Sequence, residues 1–415
     1  MNVLVIATLD TKGEEAAFVR DSIRAKGQGA LLLDAGVFPP ETRADLAADL
    51  AADIPAEEVA AAGGGSLAKL RAENDRGRAL AVMERGVAAI ARRRYDAGEV
   101  SAVLGLGGSG GTVVATAAMR ALPVGLPKLM VSTVASGDVG PYVGVSDLAM
   151  LYSVVDLAGL NRVSRRVLEN AVGMVCGALS QTPDEADERP VLAATMFGVT
   201  TPAVTKLRAR LERAAYEVLV FHATGSGGRA MEGLVRDGFV AGVADLTTTE
   251  LADELVGGVL FAGPTRLTAA GERGVPQVVS VGALDMVNFW ARDTVPERFR
   301  GRTLYEHNAN VTLLRTTKEE NRALGRVLAE KLNAAVGPVT LMLPLQGLSA
   351  LDAPGQPFHD PEADAALFGA LRSALAPRIK LVEVDAHIND DAFADACARE
   401  LLALLEAEDA LHPTR

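Results

Sequence analysis

The residues best suited to chemistry form a short glycine-rich string. Residues 105–112 read GLGGSGGT, straight after an apolar run and straight before a helix-forming stretch. Phosphate binding needs main-chain N–H groups turned toward one point with no side chain in the way. Glycine permits both the unusual φ angles and the close approach. A helix starting behind the turn adds unpaired N–H groups and a partial positive charge. Gly107, Gly108, Gly110 and Gly111 free the backbone, and Ser109 and Thr112 add hydroxyls. Thr112 also suits a helix cap or a contact to a metal-bound phosphate. No Lys-Ser or Lys-Thr pair follows, so this is not a Walker A loop. Nor is it a GxGxxG fingerprint with an acid about 20 positions later. Two readings stand: an anion cradle, or a tight strand-to-helix turn that needs glycine for packing.

Two further polar segments follow apolar runs. TLDTKGEE, residues 8–15, offers Asp10 for a metal or ribose hydroxyls and Lys12 for a phosphate. Thr11 there suits the cap of a helix starting near Gly13; the alternative is an ordinary capped turn with a solvated lysine. PKLMVSTVASGDVGPYVG, residues 127–144, gathers Ser132, Thr133, Ser136 and Asp138 in one loop. Loops at strand ends carry function disproportionately, though Ser and Asp also satisfy their own backbone in plain turns.

The second half holds a weaker set. His222, His307, His359 and His387 each stand at an apparent strand end or loop beside acids or amides. Converging, they would ligate a catalytic metal with an open position for water. Asp385 and His387, two apart, share one face of an extended segment. No HExxH or paired-Cys spacing supports a metal, and isolated histidines usually make ordinary hydrogen bonds. Glu232 and Asp285 are candidate buried acids; capping or pairing with an arginine such as Arg229 is the plainer role. HATGSGGR, residues 222–229, echoes the first glycine string.

These residues must be held by something large. The chain has 415 residues, 49% of them apolar and 4% aromatic. At about 150 residues per domain that is two or three domains, with cores needing no disulfide or metal. The net charge of −12 argues against a general nucleic-acid surface. Two cysteines, Cys176 and Cys397, in helix-like stretches fit a reducing, cytoplasmic setting. The N-terminus reads as a strand, not a leader, and no run of about 20 apolar residues suggests a membrane span.

Residues 2–9, 30–34, 100–106 and 128–133 are continuously apolar and predict strands covered on both faces. Helices are expected over 13–26, roughly 66–94, and 110–122, giving right-handed crossovers and a parallel sheet. Residues 181–190, QTPDEADERP, read as a linker. Beyond it strands are expected at 191–197, 217–221, 275–281, 339–343 and 379–384, with helices at 202–215 and 390–407. The expectation is α/β: two Rossmann-like domains, 1–182 and 190–415, with mostly parallel sheets covered by helices on both faces.

Taken together, TLDTKGEE, GLGGSGGT, LPKLMVSTVASGDVGPYVG, FHATGSGGRAMEGL, DLTTTELADELVGG, GALDMVNFW, HNANVTLLRTT and HIND resemble the Tm-one-like ATP-binding family, over residues 2 to about 405. The resemblance implies ATP, with Mg²⁺, on the N-terminal domain, and a homodimer. Carried over by matching strings, nucleotide contacts fall on Asp10, Thr11, Lys12, residues 107–112, and the loop with Ser132, Thr133 and Ser136. One reading is an ATP-dependent enzyme acting on a small polar metabolite in the interdomain crevice. In it Glu232, His307 and His387 are catalytic, and Ser226, Arg229, Asp285, Asn288 and His359 hold substrate. The other readings are a non-catalytic, nucleotide-responsive binding protein and a metal-dependent hydrolase or lyase centred on the second domain.

Overall fold

The computed structural model describes residues 1–38, 51–181 and 189–411. It divides into two compact units, Met1–Ala186 and Asp187–Arg415. Most of the expected linker, residues 182–188, lies outside the described residues.

Unit 1 alternates strand and helix: β1 Asn2–Ala7, α1 Leu9–Ala25, β2 Gly29–Asp34, α2 Ala56–Ala62, α3 Leu67–Glu73, α4 Arg76–Asp96, β3 Ala102–Gly107, α5 Ser109–Arg120, β4 Lys128–Ser132, α6 Gly140–Val143, β5 Ala149–Tyr152 and α7 Arg162–Leu179. Every strand pairing is parallel, in the order β2-β1-β3-β4-β5. The apolar runs bury on both faces because successive side chains point oppositely. Leu4 and Ile6 pack with α2, α3, α4 and α5. Val3 and Val5 pack with α1 and α7 on the other face.

Three sequence expectations change. The helix expected over 66–94 is two helices, because Asn74 turns left-handed at φ 49° and Asp75 caps α4 by accepting from Arg78 N–H at 3.0 Å. α1 starts at Leu9 rather than near Gly13, so the Thr11 hydroxyl meets that of Thr8 at 3.0 Å instead of capping a helix. The edge strand β5 is too short and exposed to announce itself as an apolar run.

Unit 2 contains β6 Val191–Met196, α8 Thr201–Arg213, β7 Glu217–His222, α9 Ser226–Arg236, β8 Gly242–Thr247, α10 Glu250–Val256, α11 Ala269–Arg273, β9 Gln277–Gly282, β10 Met286–Phe289, β11 Leu304–Asn308, β12 Val311–Arg315, α12 Lys318–Asn333, β13 Val339–Pro344, α13 Pro361–Ala374, β14 Lys380–Val384 and α14 Asp391–Leu411. Its main sheet is parallel, ordered β14-β13-β9-β8-β6-β7. From the β7 edge this is unit 1's order with a sixth strand added. An antiparallel sheet, β10-β12-β11, is inserted between β9 and β13. Leu192 and Ala194 face α8 and α14, and Ala193 faces α9 and α11. The expected α/β architecture, mostly parallel and covered on both faces, is the one observed.

Candidate functional site

In unit 1 the chain leaves β1 toward β2 on one side, then returns to place β3 on the other. At such a switch point the loops after the two neighbouring strands diverge to opposite faces. They leave a crevice at the carboxyl ends, where ligands bind in doubly wound sheets. A cavity of about 510 Å³ lies there, lined by the turn after β1, the turn after β3 and the start of α4.

One side of this cavity is the expected glycine turn. A Cβ on Gly107 would sit 2.8 Å from the Gly111 Cα, so that glycine serves strand-to-helix packing. Cβ atoms on Gly108, Gly110 and Gly111 would meet nothing nearer than 3.5 Å. Their bareness is not demanded by packing. Gly108, Ser109, Gly110 and Gly111 all line the cavity. The first N–H groups of α5 have no intrahelical acceptor.

The rest of the lining carries charge and apolar surface, with Arg76 Nη2 and Leu80 beside Gly110. Lys12 and Arg76 both line the cavity, and neither has a carboxylate partner among the described residues. Asp10 accepts from Phe38 N–H at 3.3 Å, which brings Phe38 to the rim. Asp34 ties the strand ends together, accepting from Leu9 N–H at 3.0 Å and Gly36 N–H at 2.8 Å. Burial raises its pKa, and the charge of Asp10 adds to the rise. Val37, Leu70, Leu80 and Met83 complete an apolar wall. Arg76 and this wall had no signal in the sequence beyond Asp75, whose helix cap fixes where α4 begins.

Other expected contacts are placed outside the cavity. Thr112 is fully buried; its hydroxyl donates to Gly108 O at 2.8 Å and meets Ser132 Oγ at 2.6 Å. Ser132 is buried as well and accepts from Val134 N–H. Both hold the turn in place and leave no hydroxyl for a phosphate. Thr133 stands behind Gly108, Ser136 is exposed, and neither lines the cavity.

The second glycine string is built differently. It follows β7, the second strand of its unit, whereas the first follows β3, the third strand. The echo in sequence is not an echo in topology. Its N–H groups are already occupied: Gly225 and Gly228 donate to Glu250 Oε1 at 2.7 and 3.1 Å. Glu250 is fully buried and pairs with Arg266 Nε at 2.5 Å. Arg266 also forks onto Asp245, at 2.5 and 2.7 Å. Burial alone would lower the Arg266 pKa; the charge of Asp245, then those of Glu250 and Glu232, hold it well above the ordinary value.

Glu232, expected as a catalytic acid, is tied into this frame. It is buried and accepts from Leu267, Thr268 and Ala269 N–H at 2.7, 3.3 and 2.8 Å, capping α11. His387 is likewise structural. Its Nδ1 accepts from Asn389 N–H at 3.1 Å, so the proton sits on Nε2, which donates to Ser349 O at 2.8 Å. Asp385 accepts from Gln346 instead of joining it. Asn288 is buried and donates to Asp253 at 2.6 Å. Asp285 is buried against Ser349 Oγ at 2.7 Å, with burial and then the charge of Asp352 raising its pKa. Neither is open to a substrate. Arg229 donates to Phe261 O, and His359 is exposed outside both cavities.

His222, Ser226 and His307 are brought together, in a second cavity of about 470 Å³ confined to unit 2. The four histidines therefore do not converge. Among the described residues no three His, Cys, Asp or Glu side chains are placed to hold a metal.

Residues 1–184 match the N-terminal domain of the Uncharacterised protein family (UPF0261), and residues 189–405 match its C-terminal domain. The chain belongs to the UPF0261 family. It is 50% identical over 409 residues to the UPF0261 protein of Clostridium tetani, covering 97% of this chain and 99% of that one. It is 47% identical over 337 residues to the ToMV resistance protein Tm-1 of Solanum lycopersicum, covering 79% of this chain and 45% of that one. The tomato ToMV susceptible protein tm-1 is 41% identical over 423 residues, at 97% and 55% coverage. The resemblance read from the motifs is thus a family membership. The solved structure of S. aureus MnaA with UDP overlaps 67% of this chain and 79% of that one at 9% identity, but its TM-score of 0.24 is too low to carry weight. Among the described residues, no helix is long and apolar enough to cross a membrane.

In this UPF0261 chain the buried charges make two predictions. Replacing Arg266 with Met strands three buried carboxylates, and urea unfolding should show a loss of about 3–5 kcal/mol, as for a buried pair broken on one side. A loss near zero would mean the network is not a structural frame. Burial raises Asp253 from 3.8 to about 7, against the hydrogen bonds from Asn288. A carboxyl raised on folding stabilises the fold below its unfolded pKa, and that contribution fades as pH rises through the folded value. Unfolding free energy should therefore fall from about pH 4 to about pH 7, and Asp253→Asn should flatten the decline. An equal slope in the variant contradicts this assignment.

Proposed function

We propose that unit 1 is an ATP-binding domain and that the switch-point cavity is its site. The observation that carries this reading is the pairing of bare backbone with cations that have no carboxylate partner among the described residues. Gly108, Gly110 and Gly111 present N–H groups without a packing reason for the missing side chains, in a cavity that Lys12 and Arg76 also line, with the Arg76 guanidinium beside Gly110. A triphosphate needs both: main-chain donors at a helix start and positive charge to neutralise it. The apolar wall of Val37, Phe38, Leu80 and Met83 suits a purine base. A volume of about 510 Å³ falls in the range of small-molecule sites.

Mg²⁺ fits the donor set. Magnesium binds nucleotides through one or two carboxylates plus phosphate oxygens and keeps several waters. Asp10 supplies a carboxylate on the cavity wall beside the Lys12 side. Bound there, the ion would neutralise phosphate charge; Lys12 and Arg76 would orient the chain of phosphates, and the α5 start would grip its end. Catalysis and dimerisation remain part of the same proposal, in which the domain serves an ATP-dependent reaction on a small metabolite.

Calorimetric titration with ATP and Mg²⁺ tests this. The wild-type chain should bind saturably. Lys12→Ala and Arg76→Ala should each weaken binding by roughly tenfold or more, the loss of about 1.5–3 kcal/mol attached to a hydrogen bond with a charged group. Wild-type affinity in both variants would remove the phosphates from this cavity.

A further inference from the structure

The second cavity has features that the fold of unit 2 does not require. The six-stranded parallel sheet needs no further strands to cover it at its carboxyl ends, yet a three-stranded antiparallel sheet is inserted there. That insertion supplies one wall, carrying Trp290, His307 and Asn308. The ends of β6 and β7 supply the other, with Phe197, His222 and Ser226. Phe197 and His222 meet edge to face, ring centroids 6.2 Å apart. Trp290 is 51% exposed, and Phe261, next in sequence to the lining residue Leu260, is 50% exposed. Large aromatic surface left open at a cavity mouth marks a binding site more often than chance.

The lining also specifies a kind of ligand. Its body is aromatic and aliphatic, which suits a planar ring. Its polar groups are two imidazoles, two hydroxyls including that of Ser226, and the amide of Asn308; no carboxylate, lysine or arginine lines it. Every one of those polar groups can donate a hydrogen bond, and neither imidazole has a hydrogen-bond partner among the described residues. An acceptor-rich group complements such a set, and a cation would find no counter-charge. The geometry points to a second small-molecule site in unit 2, one that takes an aromatic carboxylate, with the ring beside Trp290 and Phe197 and the carboxylate between His222 and His307. This site is separate from the nucleotide cavity of unit 1 and stands without it.

Trp290 is the chain's only tryptophan, so its emission reports on this cavity alone. The intact protein is titrated with benzoate and nicotinate, and in parallel with the neutral amides benzamide and nicotinamide. The acids should change the emission saturably. The amides should bind at least roughly tenfold more weakly, equivalent to about 1.4 kcal/mol. His307→Gln should keep the circular dichroism spectrum and reduce acid affinity by roughly tenfold, at or beyond the same conversion. An absent or unsaturable response to both acids overturns the proposal, as do equal affinities for acids and amides. If the variant does not fold, the acid–amide comparison on the wild-type chain decides. ATP affinity measured on the same sample separates the two sites: a chain that takes benzoate but not ATP keeps this inference and loses the nucleotide reading.

Discussion

Everything in unit 1 depends on one unsolved hydrogen-bonding problem. A helix cannot satisfy the N–H groups of its first turn from within. Where β1 and β3 lie side by side and send their chains to opposite faces, a crevice opens at their carboxyl ends, and among the described residues no side chain is seen to satisfy them from outside. Thr112 and Ser132 settle the geometry of the turn with each other, at 2.6 Å, and leave the glycine amides ahead of them bare. Asp34 fixes the facing strand ends by bridging Leu9 and Gly36. A site of this kind is a consequence of topology first and of side chains second.

Unit 2 shows the same problem solved internally. Its glycine turn has similar letters, but Glu250 takes the N–H groups of Gly225 and Gly228. A buried carboxylate is costly without a partner, so Glu250 brings Arg266, and Arg266 brings Asp245. The result is a rigid frame with its anion built in. The glycines there answer to packing: a Cβ on Gly227 would lie 1.8 Å from the His222 carbonyl oxygen, and one on Gly228 would meet Glu250 at 2.3 Å. In unit 1 no carboxylate among the described residues takes the corresponding N–H groups.

What the sequence reveals and what it hides follow from range. Most strands of the two parallel sheets are readable because double-sided burial leaves continuous apolar runs, as in residues 3–7 and 102–106; the exposed edge strand β5 and β8, whose run GVADLT is broken by Asp245, are not. The first glycine turn was readable because a strand-to-helix turn is local. Arg76 and Phe38 were not, because they reach the cavity from other crossovers, and an exposed arginine or phenylalanine carries no periodic signature. The partners of Glu232 and His387 are hidden for the same reason: they are separated from them by 35 to 38 residues or sit on unremarkable backbone. The antiparallel insert was missed because its strands are four or five residues long.

The most direct measurement is a crystal structure of the chain grown with ATP and Mg²⁺. The account predicts phosphate density within hydrogen-bond reach of the main-chain N–H groups of Ser109, Gly110 and Gly111, with the base against Phe38 and Met83. Density at another place in the chain, or a clear map of an empty cavity at saturating nucleotide, would contradict it.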